Sequence, residues 1–211
     1  MSSTLNILIS GVGGQGLLTL ARILGQAALN EGHKVYIAET HGMSQRGGSV
    51  TVFMRVGDDV MAPLPPDDDV NLHISMELIE AVRYSTMHSV NTVAIVNNKV
   101  IRPSLPGVKM PSVEELVNML RGSTRNLYLV DASDISMGLG STVGANVVML
   151  GFATYLLEKS SIVRRESAIN EVLKLGAREL NVKLFEAGYL DASKKVGEES
   201  LKHLSEVFRK G

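Results

Sequence analysis

The stretch that decides the fold is Leu5-Asn6-Ile7-Leu8-Ile9-Ser10-Gly11-Val12-Gly13-Gly14-Gln15-Gly16. Residues 5–10 read as a buried strand that stops at Gly11. The next six residues, Gly11 to Gly16, have the spacing G-x-G-x-x-G. Behind them, residues 16–31 carry Leu17, Leu20, Leu24, Ala27 and Ala28 on one broad helical face. Gly32 stands where a terminating glycine would end that helix, and Val35 to Ala38 is a second short strand. Strand, glycine turn, helix and strand in succession predict a parallel sheet.

Outward from this unit the pattern breaks and then resumes. Glu39 to Ser49 is polar, glycine-rich and without period. Val50 to Val56 alternates as a strand does, and Gly57-Asp58-Asp59 reads as a hairpin turn into Val60 and Met61. Val70–Ile74, Thr92–Val96 and Leu127–Val130 read as further strands, with helices at about Met76–His88 and from Ser112 to about Leu120. Ser112-Val113-Glu114-Glu115 fits a capping box. Thr142 to about Leu157 reads as a mostly apolar helix against the sheet, and Val163 to Lys210 is charged and helical. The expectation is a three-layer α/β fold with a mainly parallel, Rossmann-like sheet and an antiparallel hairpin near Val50 to Met61. A Rossmann-like domain over residues 1–160 would carry a helical C-terminal extension, 161–211, packed on it.

Composition bounds the function. The 211 residues are 45% hydrophobic and 20% charged, with a formal net charge of −1. That suits a globular protein and supplies no bulk field to recruit nucleic acid or an anionic membrane. Aromatics are 4% with no Trp, so a base-stacking platform is not expected. There is no Cys, which rules out a disulfide, a thiol nucleophile and a cysteinyl iron–sulfur cluster in this chain. The longest apolar run, Val147 to Leu157, is too short to span a bilayer, and residues 1–6 lack a signal-peptide pattern; a cytoplasmic location is expected. Charge is uneven: residues 1–158 hold 10 basic and 14 acidic side chains, and residues 159–211 hold 11 and 8. A solvated helical surface accounts for most of that excess, with a partner-facing tail as the alternative.

Two segments carry candidate chemistry. In the first, Gly11, Gly13, Gly14, Gln15 and Gly16 would open a helix whose free amides attract an anion. Glu39, 23 residues past Gly16, stands where a carboxylate binds a ribose in dinucleotide sites. The plain alternative is that these glycines serve close packing only. The second segment is Thr40-His41-Gly42-Met43-Ser44-Gln45-Arg46-Gly47-Gly48-Ser49. It follows the second strand, so it should lie beside the first loop at the carboxyl edge of the sheet. There Arg46 could grip a phosphate or carboxylate, with His41, Ser44, Gln45, Gly47 and Gly48 shaping the loop. Neither segment contains a catalytic set, and His33, His73, His88 and His203 show no metal-ligand spacing.

These residues resemble a known family. The Gly-Val-Gly-Gly-Gln-Gly loop, the helix Leu17 to Leu24, Gly42-Met43-Ser44-Gln45-Arg46-Gly47-Gly48-Ser49 and Asn146 before Val147-Val148-Met149-Leu150-Gly151 resemble the gamma-type domain of 2-oxoacid:ferredoxin oxidoreductases. Within it, the His41 to Gly48 wording is most similar to the small (beta) subunits of the indolepyruvate branch. The resemblance implies an accessory subunit, inactive alone. Thiamine diphosphate, magnesium and iron–sulfur clusters would sit in a larger partner, with ferredoxin as acceptor and an acyl-coenzyme A as product. It places coenzyme A near Gly13 to Gly16 and Ser44 to Gly48. The chain lacks the Gly-Asp-Gly plus downstream Asn signature of a thiamine site, in keeping with that division. An exposed partner surface could make the isolated chain a homodimer. Two other readings stay open: a self-sufficient NAD(P)-binding oxidoreductase using Glu39, and a purely structural scaffold.

Overall fold

The computed structural model describes residues 4–41, 48–57, 60–65, 69–102 and 110–209. Strand β1 (Thr4–Val12) leads through the glycine loop into helix α1 (Leu17–Asn30), then β2 (Val35–His41) and β3 (Ser49–Gly57). Next come β4 (Val70–Ser75), α2 (Leu78–Tyr84), β5 (His88–Asn97), α3 (Val113–Ser123) and β6 (Asn126–Val130). Five helices follow: α4 (Ala132–Gly138), α5 (Ala145–Lys159), α6 (Arg165–Val172), α7 (Arg178–Lys195) and α8 (Glu198–Arg209).

The described strands form one six-stranded sheet in the order β2-β3-β1-β4-β5-β6. β1, β4, β5 and β6 pair in parallel, while β3 runs antiparallel to both neighbours. The α/β class and the mainly parallel sheet are as expected. The antiparallel strand also lies where expected, but its partners differ. The expected hairpin from Val50 to Met61 is absent: the strand ends at Gly57, and Val60 and Met61 carry no strand. The reason is that β3 has no free flank. Val52 faces Ile9 of β1 on one side and Glu39 of β2 on the other, so nothing remains for residues 60–61 to join. Met61 is instead 91% exposed. Asp58 and Asp59 lie outside the described residues.

Alternation assigns the two faces. Leu5, Ile7 and Ile9 of β1, Val50, Val52, Met54 and Val56 of β3, and Leu72 and Ile74 of β4 meet α1, α5, α6 and α7 in the larger core. Ala94 and Val96 of β5 meet Leu78 and Ala81 of α2 and Leu116, Val117 and Leu120 of α3 in a smaller one. Helices cover both sides, giving three layers.

Local chemistry sets the helix ends. Gly32, at φ +91°, stops α1: its N–H reaches the Leu29 carbonyl, and the His33 N–H reaches that of Ala28. The capping box at α3 forms: the Ser112 N–H donates to Glu115 Oε2 at 2.7 Å and the Glu115 N–H to Ser112 Oγ at 3.2 Å. The Ser112 N–H and the Ser112 hydroxyl, both donating to the carboxylate, hold the Glu115 carboxyl below its ordinary value.

The charged C-terminal stretch supplies core as well as surface. Leu184, Phe185 and Ala192 of α7 and Leu204 of α8 are buried in the larger core. Helices α5 and α7 cross at two glycines. A Cβ on Gly151 would overlap the Phe185 carbonyl oxygen, and one on Gly188 the Val148 carbonyl oxygen. The two backbones therefore meet without side chains between them.

Candidate functional site

Parallel strands end at a common edge, and the loops leaving β1, β4, β5 and β6 gather there. The glycine loop is the centre of that edge. Gly14 (φ +99°) and Gly16 (φ +76°) adopt left-handed backbone that other residues enter at a cost. Gln15 points inward. Its Oε1 accepts the Val12 N–H at 2.7 Å, and its Nε2 donates to the Met76 carbonyl at 3.1 Å. The Met76 N–H in turn donates to Ser10 O, and Asn97 Nδ2 donates to Met76 O at 3.1 Å and Ser133 Oγ at 3.0 Å. Amide side chains thus tie the loop to the ends of β4 and β5.

Two helices begin together at this point. α1 starts from Gly16 and α5 from Gly144, and neither has a side-chain cap. Asn146 Nδ2 donates to the Gly16 carbonyl at 3.3 Å, which joins the two starts. The first-turn amides of each helix carry partial positive charge.

The second segment reaches the same place where it is described. The Gly13 N–H donates to the Gly48 carbonyl at 2.9 Å. A cleft of about 320 Å³ is lined by Gly13, Gly14, Gly16, Leu17, Leu18, Glu39 and Val50. Glu39 is therefore brought to the glycine loop, although β3 lies between its strand and β1. Gly11 sits beneath, against Gln15 and Met76. Ser44, Gln45, Arg46 and Gly47 lie outside the described residues, as does the side chain of His41. A hollow of about 820 Å³ beside Lys174, Arg178 and Lys183 shares no residue with the cleft.

A clamp absent from the sequence reading anchors this segment. Ser49 Oγ donates to Glu80 Oε2 at 2.5 Å and lies 3.2 Å from the Tyr84 hydroxyl. Arg83 Nε donates to the other carboxylate oxygen at 3.1 Å, and Glu80 is 5% exposed. The residue after Gly48 is thereby fixed to α2. Glu80→Ala leaves Ser49 without its acceptor and is expected to destabilise the chain by about 1–3 kcal/mol. Urea denaturation of Ser49→Ala, Glu80→Ala and the double variant measures the coupling. Additive losses would show that the clamp contributes nothing.

Among the described residues no group of three His, Asp or Glu side chains is arranged to hold a metal, and no helix is long and apolar enough to cross a membrane. Without Cys, the chain also has no thiolate to hold a cluster.

The model of the pyruvate ferredoxin/flavodoxin oxidoreductase family matches residues 6–190. The chain belongs to that family. It is 42% identical over 192 residues to an indolepyruvate oxidoreductase subunit IorB of Archaeoglobus fulgidus, covering 89% of this chain and 95% of that one. A protein of the same description from Pyrococcus horikoshii is 35% identical over 191 residues, covering 87% and 93%. A gamma subunit of a keto/oxoacid ferredoxin oxidoreductase from Geobacter sulfurreducens superposes with a TM-score of 0.67 at 21% identity, covering 90% of this chain and 99% of that one. A 2-oxoglutarate:ferredoxin oxidoreductase from Magnetococcus marinus gives 0.70 at 14%, covering 92% of this chain and 32% of that longer one. These two superpositions carry the fold. In this family member, the glycine loop and the Gly48 end of the second segment are neighbours at one sheet edge.

Proposed function

We propose that this chain is the accessory subunit of a 2-oxoacid:ferredoxin oxidoreductase acting on indolepyruvate or a similar aryl 2-oxoacid. The observation that carries the reading is the family match across residues 6–190 in a chain without Cys. In this reading a larger partner holds thiamine diphosphate, magnesium and the iron–sulfur clusters. Those groups supply carbanion stabilisation and the electron path when bound there. Ferredoxin is reduced by the complex, not by this chain. Residues 1–160 form the oxidoreductase domain, residues 161–211 its helical extension, and the complex works in the cytoplasm.

The part assigned to this chain is binding. Gly14, Gly16 and the first turn of α1 at Leu17 and Leu18 line a cleft that, in this reading, takes an anionic group at the helix start. In this reading that group belongs to coenzyme A, with Ser44, Gln45, Arg46, Gly47 and Gly48 completing its surroundings and Arg46 pairing with its phosphate. Glu39 opposes or clamps the arginine, and His41 orders the loop.

The test is reconstitution. The chain and its co-purifying larger partner are assayed separately and together for 2-oxoacid- and coenzyme A-dependent reduction of a viologen dye. Activity is expected only from the mixture, and turnover by this chain alone would overturn the reading. Arg46→Ala is expected to raise the apparent KM for coenzyme A by about tenfold to a hundredfold, the loss of one charged hydrogen bond. An unchanged KM with unchanged assembly would remove Arg46 from the site. Isothermal titration with NAD(H) and NADP(H) should show no tight binding.

A further inference from the structure

Beneath the sheet, on the face covered by α2 and α3, runs a chain of buried and half-buried polar side chains that the proposed function does not use. Ser123 Oγ lies 2.8 Å from the Leu120 carbonyl and 2.9 Å from His88 Nδ1. His88 Nε2 lies 2.7 Å from His73 Nδ1, and His73 Nε2 lies 2.8 Å from Ser10 Oγ. Ser10 Oγ is 2.8 Å from Ser75 Oγ, which is 2.8 Å from the Glu77 carbonyl. Ser10, His73 and Ser75 are fully buried.

Counting hydrogens shows what is unusual. The chain has six links in series and ends on a carbonyl at both ends, so every link needs a hydrogen from the five side chains between. Three serine hydroxyls and two neutral imidazoles supply one each. One link must therefore stay empty while both histidines are neutral. A single added proton removes the defect. All hydrogen bonds then point outward from the histidine pair: His88 to Ser123 to Leu120 O on one side, and His73 to Ser10 to Ser75 to Glu77 O on the other. The added proton can sit on His73 Nδ1 or His88 Nε2 without reversing any other link.

We propose that His73 and His88 form a binding site for one proton, shared across their 2.7 Å contact, whose occupancy completes the polar chain from the end of α3 to Ser10 and the glycine loop. Burial opposes this. It holds His73 well below the ordinary imidazole value and His88 down at about 4. The pair is thus neutral at pH 7 with one link unmade. Because the unfolded chain binds more protons between pH 6.5 and about 4, folding stability falls as pH falls through that window. The completed chain offsets part of that fall.

The neighbouring titratable groups have partners elsewhere or act weakly. On α2, the Glu77 carboxylate accepts from Ile79, Glu80 and Ile101 N–H groups, and Glu80 holds Ser49 and Arg83, with Tyr84 beside Ser49. On α3, Glu115 is bound to Ser112, and Glu114 and Arg121 are exposed. At the start of β1 and β4, Asn6 engages both Asp69 and Arg55, and Arg125 before β6 is exposed. The charge that acts on His73 is that of His88.

The experiment is a pH titration of the full chain by imidazole carbon and proton NMR, with signals assigned by His73→Gln and His88→Gln. One proton is expected to be taken up by the pair, with both imidazoles shifting at a common midpoint. Ser75→Ala and Ser123→Ala each remove one serine and leave four links for four hydrogens in the neutral state. Each should lower that midpoint by about one pH unit, the worth of one hydrogen bond to a charged group. Two independent protonations would overturn the proposal. So would a midpoint unchanged or raised in the folded variants, or acid unfolding before any proton is taken up.

Discussion

Gly188→Ala is expected to destabilise the chain by about 3 kcal/mol, the upper part of the usual range for overpacking. The new Cβ would overlap the Val148 carbonyl oxygen, which is main chain inside α5 and cannot rotate away. Relief requires α5 and α7 to separate, and that opens the core around Phe152 and Phe185, both fully buried. Gly151→Ala should behave alike through the Phe185 carbonyl. In thermal unfolding such a loss corresponds to a fall of about 6 to 12 °C for a chain of this size. Gly122→Ala, in α3 with open space around it, is the contrasting case and should stabilise by about 0.5–1 kcal/mol. Equal behaviour of Gly188→Ala and Gly122→Ala would remove the close crossing from the account.

Gly16→Ala should cost about 2–3 kcal/mol, and for two separable reasons. Left-handed backbone at φ +76° costs an alanine about 1–2 kcal/mol. The Cβ also displaces the Asn146 side chain and with it the hydrogen bond to the Gly16 carbonyl, worth about 1 kcal/mol. The variants distinguish the two. Asn146→Ala alone loses only the bond, and Gly16→Ala on that background should add only the backbone cost. If the double variant is no less stable than Asn146→Ala alone, the left-handed conformation is not required. In the reconstituted complex, Gly16→Ala should also weaken the response to coenzyme A, because it moves the start of α1.

What could be read from the sequence was what local chemistry dictates. Gly14, Gly16 and Gly32 stand where positive φ is needed, so the loop and the end of α1 were legible residue by residue. The capping box at Ser112 was legible for the same reason. The alternation of Val50, Val52, Met54 and Val56 announces a strand but not its neighbours. Partner choice is non-local, and the hairpin to Met61 was expected in place of insertion between β2 and β1. Helix α7 was expected as solvated surface because its contact face is built partly from Gly188 and Ala192, which leave no apolar stripe. Helix α4, Ala132–Gly138, was missed; its serines and glycine give little helical signal.

At the candidate site, strand order led to the expectation that the two segments adjoin, and the Gly13 to Gly48 hydrogen bond joins their described ends. The inward turn of Gln15 toward Met76 and the hold of Glu80 on Ser49 were not legible. Both join residues far apart in the chain, and neither residue type announces its partner.

The burial of Leu184, Phe185 and Ala192 against α5, and of Leu204 in the same core, bears on biosynthesis. A ribosome delivers β1 and α1 first, yet the core they face closes only once α7 has emerged and seated Phe185 on α5. Until then the side of α5 that meets α7, at Val148 and Gly151, has no cover. A chain cut short between residues 160 and 177 and released before α7 is made should therefore be the species most prone to aggregation and most bound by holdase chaperones.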